Sequence, residues 1–208
     1  MKIGMIGAGM IARAVAEIAA KNGHEVMFSN SRGPETLFTL SRTLGCKAGT
    51  PEQAALFGDI VFVAVPLKDY RKVPVAALQG KVVMDANNYY PERDGHIPEL
   101  DDKRTTTSQM LAEHLGQSKV VKAFNAIMAP DVLTAGHMQA TDEKRALPIA
   151  GDDPLSKETV RSLIEGLGFD VVDAGPLSES WRFEEGRPVY SVPLTSAQLT
   201  QALAETQR

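Results

Sequence analysis

Apolar runs of strand length alternate with stretches of helical periodicity over the first 125 residues. The runs lie at positions 2–6, 24–28, 59–66, 81–85 and 119–123. The run at 59–66 is continuously apolar, which is typical of a strand covered by helices on both faces of a sheet. Between the first two runs, Ile11, Val15 and Ile18 recur on one helix face, and Gly23 ends that helix. This alternation predicts an α/β fold with a doubly wound, Rossmann-type parallel sheet.

The C-terminal third continues the same pattern. Strands are predicted at 146–151 and 169–173, with a helix after Asp153 that Gly168 ends. Pro148 predicts that its strand lies near a sheet edge, since proline cannot donate a ladder hydrogen bond. We therefore expect a dinucleotide-binding core over residues 1–125. Residues 126–208 form an extension that packs on, or extends, the same sheet.

Two of the smaller segments contain recognisable helix boundaries, and a third shows no clear pattern. Residues 34–44 are predicted to be helical up to Gly45, and Thr50-Pro51 has the composition of a helix start. The segment from 178 to 193 is polar, shows little periodicity and contains the only tryptophan, Trp181. A surface arm is the simplest interpretation of that segment, with a lid or a partner contact as alternatives.

Composition and charge exclude several functional classes. Of the 208 residues, 43% are hydrophobic and 23% are charged, as in ordinary globular proteins. The net charge of −4 provides no basic field for nucleic acid. No apolar run approaches the length of a membrane span, and the apolar start is broken by glycines rather than continuing as a signal peptide. With a single cysteine, Cys46, and histidines at no ligand spacing, we expect a cytoplasmic protein without a metal site.

The turn after the first strand carries the chemistry that organises the chain. The order strand, Gly7-Ala8-Gly9-Met10-Ile11-Ala12, helix is the dinucleotide-binding fingerprint G-x-G-x-x-A in its required context. Gly7 permits the tight turn and Gly9 lets the backbone approach a pyrophosphate. Amide N–H groups from Gly7 to Ile11 and the positive end of the helix dipole would face that anion.

The end of the second strand indicates which dinucleotide is bound. NAD-binding units place an acidic residue there to bond the ribose hydroxyls, whereas this chain has Asn30, Ser31 and Arg32. A carboxylate would repel a 2′-phosphate, while small polar groups and a guanidinium can bind one. The sequence therefore predicts NADP(H) as the cofactor.

Other candidate contacts follow the next two strands. Val65, Pro66 and Leu67 lie at the end of the third apolar run, at the edge where a cofactor would lie, and they are plausible apolar contacts. Asn87 follows the run at 81–85 and is placed to bond the nicotinamide ribose or carboxamide. Each of these residues also fits an ordinary strand-to-helix turn.

Four segments together resemble a known family. Gly7-Ala8-Gly9-Met10, residues 30–34, residues 85–88 and Val121-Lys122-Ala123-Phe124-Asn125-Ala126-Ile127 are similar to the NADP-dependent deazaflavin (coenzyme F-420) oxidoreductases. The same patterns occur in the cytoplasmic reductase domain of six-transmembrane metalloreductases. The resemblance covers nearly the whole chain and is stronger for fold and NADP use than for the electron acceptor.

The resemblance implies a function and roles for particular residues. Ser31 and Arg32 would hold the 2′-phosphate, and hydride would pass between the nicotinamide and a stacked flavin-like ring. Asn125 would orient the nicotinamide amide or serve the turn. Such transfer needs no dedicated acid or base, and the sequence offers no catalytic dyad. The acceptor stays open between a deazaflavin and FMN, no catalytic residue is assigned, and a homodimer is expected at the family level.

Two rival functions are compatible with the sequence. The opening also resembles β-hydroxyacid dehydrogenases and pyrroline-carboxylate reductases, which suggests an NADP-dependent dehydrogenase or an imine reductase-like enzyme. The dehydrogenases carry a catalytic lysine on a long helix, whereas Lys122 is predicted to lie on a strand. A non-catalytic NADP(H) redox sensor is the other alternative.

Overall fold

Eight strands form one sheet in the computed structural model, which describes residues 1–134 and 143–208. In chain order the strands are β1 (Lys2–Ile6), β2 (Glu25–Ser29), β3 (Lys47–Ala48), β4 (Ile60–Val63), β5 (Val82–Asp85), β6 (Lys119–Lys122), β7 (Ala146–Gly151) and β8 (Asp170–Asp173). Their spatial order is β3-β2-β1-β4-β5-β6-β7-β8.

The first six strands are parallel to one another. The order in which the chain adds strands to the sheet reverses between β1 and β4. The chain moves outward from β1 through β2 to β3, returns to β4 and continues to β6. This is the doubly wound order in which ligands bind beyond the carboxyl ends of the strands at the reversal. The fold class predicted from the sequence is confirmed.

Helices cover both faces of the sheet. They are α1 (Met10–Lys21), α2 (Phe38–Leu44), α3 (Pro51–Phe57), α4 (Pro91–Asp94), α5 (Pro98–Asp101), α6 (Thr107–Leu115), α7 (Ala129–Val132), α8 (Pro154–Gly166) and α9 (Ser196–Glu205). Short 3-10 helices occupy Pro34–Leu37, Leu67–Lys72, Ala76–Leu78 and Leu177–Phe183. The stretch predicted as one helix over 34–44 is thus a 3-10 turn followed by α2.

The two faces bury separate apolar clusters. One cluster contains the inner faces of α1 and α8 and surrounds Phe28, Phe62 and Phe124. The other lies between the sheet and α3 and α6 and includes Leu67 and Leu111. The strand residues between them are buried on both sides, which explains the continuous apolar run at β4.

The sheet differs from the sequence-based expectation at β7. This strand is antiparallel to β6, because the chain re-enters the sheet at the same edge where β6 ends. It pairs in parallel with β8, which is the last strand, so β7 is the second strand from that edge of the sheet, as near the edge as Pro148 predicts. The β6–β7 ladder pairs only Val121 with Gly151 and Lys122 with Ala150. Pro148 lies beyond that ladder, and its missing N–H therefore costs no hydrogen bond there.

The segment around Trp181 is also different from the expected surface arm. Trp181 is only 7% exposed, and Phe183 and Leu177 are fully covered. The guanidinium groups of Arg182 and Arg187 lie 4.6 and 5.1 Å from the centre of the Trp181 ring. The cationic side chains that gave the segment a polar sequence thus cover its aromatic residue. We call residues 177–190 the C-terminal arm.

The start of α3 is stabilised as the sequence predicts. The Thr50 hydroxyl accepts from the Gln53 amide, and the Gln53 side chain accepts from the Thr50 amide, which completes a capping box. Thr50→Ala is expected to lower the free energy of unfolding by about 1 kcal/mol, and Thr50→Ser by much less. Chemical denaturation of both variants measures the difference, and equal losses would contradict the role of the hydroxyl.

No helix in the described part of the chain is both long enough and apolar enough to cross a membrane.

Candidate functional site

The glycine turn has the backbone geometry that its sequence predicts. Gly7 has φ of +110°, and a Cβ placed on it would lie 2.1 Å from the Ala64 carbonyl oxygen. A Cβ on Gly9, in contrast, would meet nothing within 4 Å. The turn therefore needs glycine at position 7 to fold, whereas glycine at position 9 leaves open space in front of the helix start.

Helix α1 presents an uncompensated positive end to this space. Its first turn, beginning at Met10, contains no acidic residue, and Gly9 supplies no side-chain cap. The first amide N–H groups of a helix have no acceptor within the helix. Together they form an anion site of the kind that binds a pyrophosphate.

A cleft of about 340 Å³ opens at the reversal point of the sheet, beyond the ends of β1, β2 and β4. Eight of the predicted cofactor contacts line it, namely Gly7, Ala8, Gly9, Asn30, Ser31, Arg32, Val65 and Pro66. Six further lining residues were not predicted, namely Ile6, Pro51, Ala64, Asp69, Lys72 and Val73. The residues predicted from the sequence therefore form the floor and one wall of the cleft. The opposite wall comes from the 3-10 helix after β4.

The other five predicted contacts lie elsewhere. Met10 is 74% exposed at the start of α1, next to partly buried Ile11. Leu67 is fully buried in the apolar cluster beneath α6, so its side chain does not line the cleft. Asn87 and Asn125 are almost completely buried. Their contacts with the cofactor stay predictions.

The corner after β2 is preorganised around Asn30. Its Oδ1 accepts from the Arg32 amide at 2.9 Å, and its Nδ2 donates to the Thr36 hydroxyl at 2.9 Å. The Arg32 side chain is exposed, and no hydrogen bond or ion pair to another described residue holds its guanidinium. An unpaired cation on a fixed backbone turn at the mouth of the cleft can bind a phosphate bidentately.

A strained turn follows β6 at the same edge. Phe124 adopts a φ of 58°, which is unfavourable for a bulky residue, although its ring is buried between Phe62 and Phe169. This turn directs the next residue, Asn125, toward the strand ends. Its Nδ2 donates to Asn88 Oδ1 at 3.2 Å and to the Phe183 carbonyl at 2.9 Å.

Lys122, at the end of β6, is fully buried and makes three hydrogen bonds. Its Nζ donates to the Asn87 carbonyl at 3.0 Å and to the hydroxyls of Thr107 and Ser108 at 2.6 and 3.2 Å. The carboxylates of Glu184 and Asp85 lie 3.5 and 3.9 Å from the same nitrogen. All three ammonium donors are therefore used, as a buried lysine requires.

Two carboxylates extend this arrangement into other elements. Glu184 Oε1 accepts from the Thr107 hydroxyl at 2.8 Å and from its amide at 3.2 Å. Asp85 accepts from the Ser108 hydroxyl at 2.5 Å and from the Asn87 amide at 2.9 Å. The strand-end network is the set of polar residues joined in this way, namely Asp85, Asn87, Thr107, Ser108, Lys122 and Glu184.

Two groups at this edge have shifted acidities. Burial raises the pKa of Asp85 above its ordinary value, while Lys122 and the hydrogen bonds from Ser108 and Asn87 oppose that shift. Burial and the adjoining Tyr90 hydroxyl, 2.6 Å away, raise the pKa of Tyr190. Tyr190 therefore stays a neutral phenol at ordinary pH.

Apart from Asn87, the members of the strand-end network were not predicted from the sequence as parts of the site. Lys122 was considered only as a catalytic lysine, and Glu184 and Tyr190 only as parts of a polar segment. A lysine that directly follows the two buried valines of β6 is a signal for a buried cation that needs carboxylate partners. Those partners are distant in sequence, so their identity was not visible there. Among residues 1–134 and 143–208, no cluster of three His, Cys, Asp or Glu side chains that could hold a metal ion is found.

Comparison with known proteins supports the dinucleotide interpretation. Residues 2–89 match the family described as "NADP oxidoreductase coenzyme F420-dependent". The predicted resemblance to this family is thereby confirmed over that part of the chain.

Two solved structures are similar over most of the chain. The hypothetical protein SMa0349 from Sinorhizobium meliloti has a TM-score of 0.80 at 28% identity, and the match covers 94% of this chain and 95% of that one. A protein from Arthrobacter sp. FB24, whose name proposes an F420-dependent NADP-reductase, has a TM-score of 0.74 at 24% identity. That match covers 86% of this chain and 87% of the Arthrobacter protein.

More distant matches share only part of their length with this chain. The imine reductase of Streptomyces aurantiacus has a TM-score of 0.60 at 17% identity, and 56% of that enzyme is covered. The Escherichia coli (strain K12) protein YjhV is 33% identical over 57 residues, and the match covers 27% of this chain and 42% of YjhV. The chain therefore spans less than half of the curated relative it matches.

Proposed function

We propose that this NADP-dependent oxidoreductase transfers hydride between NADP(H) and a flavin or deazaflavin ring. The observation that carries the proposal is the cleft at the sheet reversal, which is lined by both the open glycine corner and the Arg32 side chain, whose guanidinium is unpaired among the described residues. The family match over residues 2–89 favours a deazaflavin as the physiological acceptor.

The described residues fit NADPH at each of its charged or polar ends. The space in front of Gly9 and the amides of α1 suit the pyrophosphate, and Arg32 with Ser31 suits the 2′-phosphate. Asn87 Nδ2 and Asn125 Oδ1 are buried without a hydrogen-bond partner among the described residues. One free donor and one free acceptor are what a carboxamide needs, which supports placing the nicotinamide at this edge.

Exposed apolar side chains at the same edge support a flat aromatic acceptor. Met10 begins α1 and Met128 precedes α7, and α7 packs against α1. Both methionines are more than half exposed, and Leu133 beyond α7 is nearly half exposed. Adaptable thioether side chains suit contact with a conjugated ring.

Hydride transfer requires little of the protein beyond the alignment of the two rings. NADPH, when bound, supplies the hydride from its nicotinamide ring. The protein's own residues hold the two rings in register and exclude water, for which no acid–base dyad is needed. A cytoplasmic homodimer is part of this proposal, with the segment after Phe124 and the C-terminal arm as its expected contacts.

Turnover with defined acceptors tests the function. Purified protein is expected to consume NADPH in the presence of a deazaflavin, more slowly with FMN, and much more slowly when NADH replaces NADPH. Anaerobic absorbance measurements follow both rings at once. Oxidation of a 3-hydroxy acid by NADP⁺, or reduction of a cyclic imine, would instead favour the rival enzymes. Tight NADPH binding without turnover of any acceptor would favour the sensor.

A further inference from the structure

The C-terminal arm contacts the ends of two strands, β5 and β6, and the start of α6 at the ligand edge of the sheet. The Phe183 carbonyl accepts from Asn125, and Glu184 lies against Lys122 and Thr107. The Tyr190 hydroxyl accepts from Asn88 at 3.4 Å. The arm thus touches the segments after β5 and β6, which also contain the two asparagines with unpartnered amide atoms.

The Lys122 ammonium connects these contacts to one another. A single ammonium binds the Asn87 carbonyl, the first turn of α6 and, by charge, Glu184 of the arm. Asn87 in turn accepts from the Val65 amide at 2.8 Å with its side-chain oxygen, and Val65 lines the cleft. A continuous set of hydrogen bonds therefore joins the arm to the wall of the cofactor cleft.

The burial of this charge indicates a demand for precise placement. Removing an ammonium and a carboxylate from water is unfavourable, and their mutual attraction compensates for the lost hydration only when the geometry is good. An apolar side chain of similar volume would fill the same space without that cost. A buried polar network whose members are all hydrogen-bonded holds its groups in one arrangement.

We propose that Lys122 is a positioning residue that uses Glu184 to fix the C-terminal arm and Asn87 relative to the nicotinamide half of the cofactor. The inference rests on the proposed function for the identity of that cofactor. Lys122 touches neither ring. It acts through Asn87 and Glu184, and its loss would leave the adenosine half of the cleft unchanged.

Glu184→Gln is the informative variant, because the amide keeps the volume and can still accept from Thr107 while the charge facing Lys122 is removed. Glu185→Gln is the matched control, since Glu185 is adjacent and exposed and lies outside the strand-end network. Calorimetry with NADPH and with 2′,5′-ADP, the adenosine half alone, separates the two ends of the cleft. Steady-state kinetics then gives kcat and KM, and thermal unfolding reports the integrity of the fold.

For Glu184→Gln we expect 2′,5′-ADP to bind within about twofold of wild type, while kcat falls roughly 10- to 100-fold, the loss that a misplaced reacting group produces. NADPH affinity should fall by several-fold, and Lys122→Met should behave similarly if it folds. Unchanged kcat and NADPH affinity in Glu184→Gln would overturn the inference and leave the ion pair as a fold-stabilising contact. Wild-type protein that binds neither ligand would refute the proposed function, and this inference with it.

Discussion

Arg32→Ala is expected to raise the dissociation constant for NADPH by about 10- to 100-fold while changing the constant for NADH by less than about twofold. A hydrogen bond to a charged group contributes roughly 1.5–3 kcal/mol, and only NADPH has the 2′-phosphate that would receive it. Because the Arg32 guanidinium has no partner among the described residues, its removal disturbs no other contact. Isothermal titration with both dinucleotides measures the two constants.

A control for this prediction is available on α2. Arg42 lies over the Phe38 ring, 5.6 Å from its centre, and outside the cleft. Arg42→Ala removes the same charge and should leave both constants unchanged. Equal losses of NADPH and NADH affinity in Arg32→Ala would contradict the phosphate role, since a general effect on the cleft would then account for the change.

Gly9→Ala and Gly7→Ala are expected to fail in different ways. A methyl group on Gly9 meets nothing in the free protein, so the free energy of unfolding should change by less than about 1 kcal/mol. The same methyl group would occupy the space where the pyrophosphate approaches, and NADPH affinity should fall about 10-fold or more. Thermal unfolding with and without NADPH measures both effects on one sample.

In Gly7→Ala, in contrast, the larger direct effect is expected on stability rather than on NADPH binding. Alanine there combines a φ of +110° with a methyl group 2.1 Å from the Ala64 carbonyl oxygen, and the resulting strain and overlap should cost roughly 2–5 kcal/mol of stability. Loss of NADPH binding in this variant follows from the unfolded population. A Gly9→Ala protein that binds NADPH as tightly as wild type would show that the cofactor does not approach this corner.

Local signals predicted the half of the fold that positions the cleft. The glycine turn, the Thr50-Pro51 helix start and the strand ending at Asn30 each depend on residues within a few positions of one another. Such features follow from backbone sterics and hydrogen bonding over one or two turns. The individual residues at one end of the cleft could therefore be predicted from the sequence.

Contacts between distant segments account for what was missed. The direction of β7 depends on where residues after β6 re-enter the sheet. The C-terminal arm, which contains Trp181, is held by contacts such as the Asn125–Phe183 hydrogen bond, whose partners are 58 residues apart. Leu67 is buried in the apolar cluster under α6, a position that its sequence context alone does not reveal. The periodicity of a sequence cannot distinguish a core residue from a ligand contact, because the same kinds of side chain serve both purposes. Only the assembled sheet shows which purpose each residue serves.

The short ladder between β6 and β7 also limits how the molecule can be divided. Cutting the chain after residue 125 would leave β6 with a bare row of amide and carbonyl groups on one side, and would strip Lys122 of its Glu184 counter-charge. Anyone seeking to transplant the nucleotide cleft into a fusion enzyme should therefore carry β7, β8 and the C-terminal arm with it.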